Sequence, residues 1–236
     1  MVLELLSTGI AGLDELLNGG IRKTNSVLIA GVPGSGKTVF GLHYIFAGAQ
    51  RGEPGLFISY EEGQDSILEY AESFGLDFRS FMQKGLITVL SIPVVDKMVT
   101  FAPVVDMIKK NKIQRVFLDS ITLFEFIDSM SAMSFRREII EFIKIMKELG
   151  ATLVASSEKK VANIDVVEYG SQDFLFQGLI LLTKVRKGAS FERCLCISKM
   201  RGQAHQLGIY PFSIDTQGVQ VYSKQLPFSL LEQGEL

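Results

Sequence analysis

Gly31-Val32-Pro33-Gly34-Ser35-Gly36-Lys37-Thr38 carries the clearest chemistry in the chain. It matches G-x-x-x-x-G-K-[ST] in full. It follows a β-rich run, Ser26–Gly31, and opens a stretch of helical spacing over residues 38–50, the context that this motif requires. Glycines let successive backbone N–H groups turn inward around an anion, and the start of the helix adds field of the same sign. The Lys37 ammonium suits the β- and γ-phosphates, and the Thr38 hydroxyl suits Mg²⁺. The spacing therefore predicts a site for a nucleoside triphosphate and its metal.

Such a site needs a carboxylate on the metal side, at the end of a neighbouring strand. Asp119 fits, closing the apolar run Val116-Phe117-Leu118. The next residue is Ser120, where many nucleotidases place a water-activating Glu. A carboxylate must come from elsewhere. Glu61 and Glu62 close the run Gly55-Leu56-Phe57-Ile58-Ser59-Tyr60, and a parallel sheet gathers its strand C-termini on one edge. One of these acids can orient water while the other holds its neighbour or the metal shell. Lys199 and Arg201, after the run Cys194-Leu195-Cys196-Ile197-Ser198, could offset charge on the γ-phosphate; if the site lies between subunits, they serve the neighbour's nucleotide.

These residues need a scaffold, and hydrophobic periodicity supplies one. Strands are predicted at 26–31, 55–60, 86–92, 115–120 and 151–156. Helices are predicted at 38–50, 65–74, 102–110 and 135–149, the last ending at Gly150 as a C-cap. From Leu179 the helical period disappears. Runs 179–185, 192–198, 212–215 and 219–222 read as strands separated by turn residues such as Lys187-Gly188 and Gln217-Gly218. The expected architecture is α/β, a mostly parallel sheet flanked by helices with a β-rich C-terminal edge, in a single domain over 1–236.

Composition agrees. Apolar residues make up 47% and charged residues 21%, and the net charge is −2, which argues against a globally basic nucleic-acid binder. No apolar stretch approaches the ~20 residues of a membrane span, and two cysteines make no disulfide framework. A cytoplasmic protein is expected.

The order of motifs resembles the RecA-superfamily ATPases of the KaiC/RadA branch. Ser7-Thr8-Gly9-Ile10-Ala11-Gly12-Leu13-Asp14-Glu15-Leu16-Leu17 with Gly19-Gly20-Ile21 is similar to that branch's opening segment. The phosphate loop, residues 52–62 and Val116-Phe117-Leu118-Asp119-Ser120 continue the likeness. Lys199-Met200-Arg201-Gly202 with His205, then Tyr210-Pro211-Phe212, resembles the KaiC family in particular. The resemblance implies a RecA-like fold and an Mg²⁺-dependent ATPase acting as a nucleotide-state switch. It also implies a homo-oligomeric ring, often hexameric, with ATP between subunits and a protein partner able to read the nucleotide state. It makes Glu61 and Glu62 the paired catalytic glutamates and places Ser73 at the nucleotide base. Lys199, Arg201 and His205 reach the adjacent subunit's ATP, and Asp215 and Thr216 sit on the adenosine side. The family's phosphorylated Ser-Thr pair aligns with Asp173-Phe174, so autophosphorylation there is not expected.

An assembly scaffold with vestigial hydrolysis would use the same residues and stays open. A DNA-recombinase or helicase relative is disfavoured, because residues 161–169, a candidate inner-ring loop, hold Asp165 and Glu168 but no Lys or Arg. Neither nucleic acid nor membrane is an expected partner. Cys194, Cys196 and His43 read as structural. Met130, Met133, Met146, Phe124 and Phe126 read as core or interface, and Glu158-Lys159-Lys160 as a solvated strand end.

Overall fold

A computed structural model of the chain describes residues 4–92, 101–126, 132–159 and 169–228. Met130, Lys160 and residues 161–168 lie outside them, as do the side chains of Phe124 and Phe126. The chain opens with β1 (Leu5–Leu6), α1 (Leu13–Leu16) and β2 (Ile21–Arg22). Alternation follows through β3 (Ser26–Gly31), α2 (Lys37–Gln50), β4 (Gly55–Ser59), α3 (Gln64–Ser73), α4 (Phe78–Gln83), β5 (Ile87–Ser91), α5 (Ala102–Asn111) and β6 (Arg115–Asp119). A 3₁₀ turn (Ile121–Phe126), α6 (Ala132–Glu148), β7 (Thr152–Glu158) and a second 3₁₀ turn (Ser171–Phe174) come next. The strands β8 (Gly178–Lys187), β9 (Ser190–Met200), β10 (Ile209–Asp215) and β11 (Gly218–Val221) close the order.

Nine strands form one sheet in the order β11-β10-β9-β8-β3-β7-β6-β4-β5. From β8 to β5 every neighbouring pair is parallel; β8, β9, β10 and β11 pair antiparallel. The predicted β-rich tail therefore extends the same sheet at one edge. Two of its hairpins close with two-residue turns, Gly188-Ala189 and Thr216-Gln217, as their register shows. The sheet is covered on both faces. Val27 and Ile29 of β3 face one core, with α2 and α3. Leu28 and Ala30 face the other, with α5 and α6. That double coverage explains why β3 and β6 read as continuous apolar runs.

The contact between α2 and β6 sets the site. Arg115, Phe117 and Asp119 alternate onto the α2 face of the sheet, while Val116 and Leu118 turn to the other. A β-carbon on Gly41 would stand 2.1 Å from the Phe117 ring, and one on Gly48 2.4 Å from Arg115 Cδ. Glycine at these helix positions lets α2 lie close on β6. The wholly buried Arg115 guanidinium donates from Nε to Glu53 Oε2 (2.6 Å) and from Nη1 to Ser7 O (2.7 Å) and Tyr44 O (3.0 Å). Breaking a buried pair of this kind costs about 3–5 kcal/mol. Asp14 ties the opening segment by accepting from Ser7 Oγ (2.6 Å), Thr8 N (2.8 Å) and Thr8 Oγ1 (2.6 Å).

Two measurements test this packing. Gly41→Ala gains about 1 kcal/mol in helix propensity but drives a methyl into the Phe117 ring. Overpacking costs about 1–3 kcal/mol, so a net loss of stability is expected in urea unfolding, and Phe117→Leu in the same chain should recover part of it. His43 on α2 is buried and accepts from Val219 N through Nε2 (3.1 Å), which fixes its proton on Nδ1. Burial holds its pKa below the ordinary 6.5. The unfolded chain therefore takes up the proton first. Stability is complete above pH 6.5 and falls as pH drops through 6.5 toward the lowered native value. His43→Gln should flatten that part of the stability–pH curve relative to the unaltered chain.

Candidate functional site

The phosphate loop turns from β3 into α2 at the C-terminal edge of the parallel strands. Gly34 and Gly36 take φ of 68° and 107°, a left-handed region where other residues are strained. Lys37 Nζ donates to Gly31 O (3.1 Å) and Val32 O (3.3 Å). The Ser35 hydroxyl is buried and has no hydrogen-bond partner among the described residues. An orphaned donor inside a glycine turn is what a cradle for phosphate oxygens presents.

Because α2 lies close on β6, its first turn meets the end of that strand. Thr38 Oγ1 donates to Asp119 Oδ2 at 2.7 Å. Ser156 of β7 donates to the other carboxylate oxygen, Oδ1. Burial pushes the Asp119 carboxyl above its ordinary value and Glu61 adds to the rise, while the hydroxyls of Ser156 and Thr38 pull it down. Burial draws Lys37 down, against the opposing pull of Glu158, Asp119 and Glu61. A hydroxyl and a carboxylate, both hard oxygen donors, fit Mg²⁺ held jointly with phosphate oxygens. Among the described residues no group of three or more His, Cys, Asp or Glu side chains could hold a metal ion alone.

Strand β4 delivers the two glutamates. Tyr60 N donates to Asp119 O (2.7 Å), which locks the two strand ends together. Glu61 Oε1 accepts from Ser120 Oγ at 2.5 Å. The serine that replaces the usual base thus holds Glu61. The Glu62 backbone is fixed at both ends, its N–H donating to Ser59 Oγ and its carbonyl accepting from Ser91 Oγ (both 2.9 Å). The Glu62 charge raises the pKa of the Tyr70 phenol.

These groups line a cleft of about 430 Å³ that holds Pro33, Gly34, Gly36, Lys37, Thr38, Glu61, Glu62 and Asp119. Ser73 is exposed, its hydroxyl donating to Tyr70 O (2.7 Å), and its neighbour Phe74 lines the cleft. The Asp215-Thr216 turn comes to the same end: Thr216 O lies 4.0 Å from where a β-carbon on Gly75 would sit, and Ile214 is a cleft residue.

Lys199, Arg201 and His205 are not brought to this cleft. Met200 pairs with Gly178, which pairs with Val27 near the start of β3. That is four residues, about 13 Å, below the loop. There Lys199 Nζ donates to Asp173 O (2.5 Å), and burial lowers its pKa. Sequence reading also missed cleft residues. Glu158 is an exposed strand end, as expected, but also lines the cleft, and so do Tyr70, Phe74 and Arg193. Strand register could have found Glu158, because it pairs with Gly31.

Comparison with known proteins places this arrangement. The family model "ATPase: KaiC" matches residues 6–226. The "Circadian clock oscillator protein KaiC" of Parasynechococcus marenigrum is 32% identical over 94% of this chain and 45% of its own length. The chain thus spans about half the length of the clock proteins it matches. The "UPF0273 protein MK0039" of Methanopyrus kandleri is 32% identical over 100% of this chain and 98% of its own. The crystal structure of the KaiC-like protein PH0186 from Pyrococcus horikoshii superposes with a TM-score of 0.83 at 29% identity, covering 94% of this chain and 100% of that one. The fold is that of a RecA-like P-loop NTPase, and the chain belongs to the KaiC family of ATPases.

Proposed function

We propose that this chain binds Mg²⁺-ATP at the loop of residues 31–38 and hydrolyses it slowly, acting as a nucleotide-state switch within a homo-oligomeric ring. The observation that carries the reading is the Thr38–Asp119 hydrogen bond at 2.7 Å. It joins the phosphate loop to the metal-side carboxylate within one cleft that also holds Glu61 and Glu62.

Backbone N–H groups of the loop and Lys37 hold the β- and γ-phosphates. Thr38 and Asp119 are the residues that would hold Mg²⁺, which would offset the charge of the phosphates. Glu61 is committed to Ser120 and stands beside Asp119. That leaves Glu62, with its backbone anchored at both ends, to accept the proton of the attacking water. Phe74 and Ile214 give the base an apolar wall, with Ser73, Asp215 and Thr216 around it. A neighbouring chain's Lys199 and Arg201 supply cations to the γ-phosphate, with His205 beside them. Their place at the opposite edge of the sheet supports this division, because they cannot serve their own chain's cleft. No described helix is long and apolar enough to cross a membrane, in keeping with a cytoplasmic setting.

Two experiments test the reading. Glu62→Gln should retain ATP in calorimetry and lower turnover by roughly 100-fold or more, the contribution of a positioned base; unchanged turnover would remove Glu62 from that role. Glu62→Gln and Arg201→Ala chains, each nearly inactive alone, should regain part of their activity when mixed, since some interfaces then carry both native groups. Turnover that stays additive across all mixing ratios would contradict a site shared between subunits.

A further inference from the structure

Strands β8 and β9 bring two cations to the phosphate loop that the mechanism above does not use. Lys184 and Arg193 are direct cross-strand partners, so they project from the same face. That face is the α2 side, because Leu182 and Leu195, two positions along each strand, belong to the core beneath α2. Lys184 Nζ donates to Pro33 O (3.3 Å) and lies 3.1 Å from where a β-carbon on Gly34 would stand. Arg193 lines the cleft, and its Nε is buried without a hydrogen-bond partner among the described residues. Among those residues neither side chain enters an ion pair.

Like charges placed directly opposite on adjacent strands destabilise a sheet. Here the repulsion is compounded by a third cation, Lys37, which lines the same cleft as Arg193. An anion seated between the three cations turns repulsion into attraction, and the loop is already shaped for phosphate oxygens. We propose that Lys184 and Arg193 form a second phosphate-binding pair, supplied by the same chain, which grips the phosphate chain on the side of the loop away from Asp119. Sheet order supports the placement: β8 and β9 lie on one side of β3, β7 and β6 on the other. The proposal rests on the nucleotide reading above.

Calorimetric titration of the full chain with ATP and ADP, beside urea unfolding without nucleotide, tests it. Lys184→Gln and Arg193→Gln should each weaken both nucleotides about tenfold, the scale of one charged hydrogen bond. Lys184→Arg should keep most of the affinity, and Lys184→Gln should hold or raise the unfolding midpoint, since a like-charge contact is relieved. Unchanged affinity in both Gln variants overturns the pair alone. So does a lost affinity that tracks a lowered midpoint and is not rescued by Arg, because Lys184 then only braces Pro33. An unaltered chain that binds neither nucleotide overturns the nucleotide reading and this pair with it.

Discussion

Helix α2 lies on strand β6 at a spacing that glycine permits, and the candidate site depends on that contact. The helix runs down the strand in three steps: Gly48 over Arg115, Gly41 over Phe117, and Thr38 against Asp119. The first two are packing and the third is chemistry. A bulkier residue at position 41 or 48 would lift the helix off the sheet. The Thr38 hydroxyl would then lose the carboxylate, whatever residues occupied the loop itself. The buried Arg115 fixes the far end of the same contact. Its guanidinium gathers the opening segment through Ser7 O, helix α2 through Tyr44 O, and the α2–β4 connection through Glu53. Core packing and site geometry are therefore one interaction seen at its two ends.

The site also shows why its charges need one another. Asp119 is raised and Lys37 lowered, both first by burial. Each group alone would tend toward its neutral form in this setting. Their mutual attraction, and the hydroxyls of Ser156 and Thr38 on the carboxylate, oppose that tendency. A polyphosphate with a divalent cation would add negative charge beside Lys37 and positive charge beside Asp119, and so would favour the charged form of both. Ligand affinity and the ionisation of these two side chains are accordingly linked.

Much of this was legible in the sequence because the relevant signals are local. The phosphate loop is a contiguous motif. The end of β6 announces itself as an apolar run closed by Asp119, and the change of period after Leu179 marks the antiparallel edge. Glu61 and Glu62 could be placed because the C-termini of parallel strands share one edge. What stayed hidden depends on distant pairing. Glu158 is an exposed strand end, as expected, but its place beside the phosphate loop shows only once β7 is set beside β3, with Gly31 as its partner. Tyr70 and Phe74, on α3 and its C-cap, and Arg193, on β9, carry no motif and converge only in the folded chain. The short elements β1, α1, β2 and α4 have too few residues to show a period. The roles of Gly41 and Gly48 on α2 stayed hidden too, since their partners, Phe117 and Arg115, lie far along the chain.

The direction of β9 carries the last step. Because β8 is parallel to β3 and β9 is antiparallel to β8, β9 starts near the phosphate loop and ends at the opposite edge of the sheet. Arg193, near its beginning, lines the chain's own cleft, and Lys199 and Arg201 stand at and just beyond its end. Six residues of strand separate Arg193 from Lys199, about 20 Å of hydrogen-bonded backbone. The strand is held on both sides, by β8 along most of its length and by β10 between Arg193 and Cys196. On the ring reading, β9 would touch a subunit's own nucleotide at one end and its neighbour's at the other, with a register shift at Ser198 between them. On that reading the pairing of β9 with β8 is the structural link between neighbouring sites, because the residues at both ends of β9 are held in place by it.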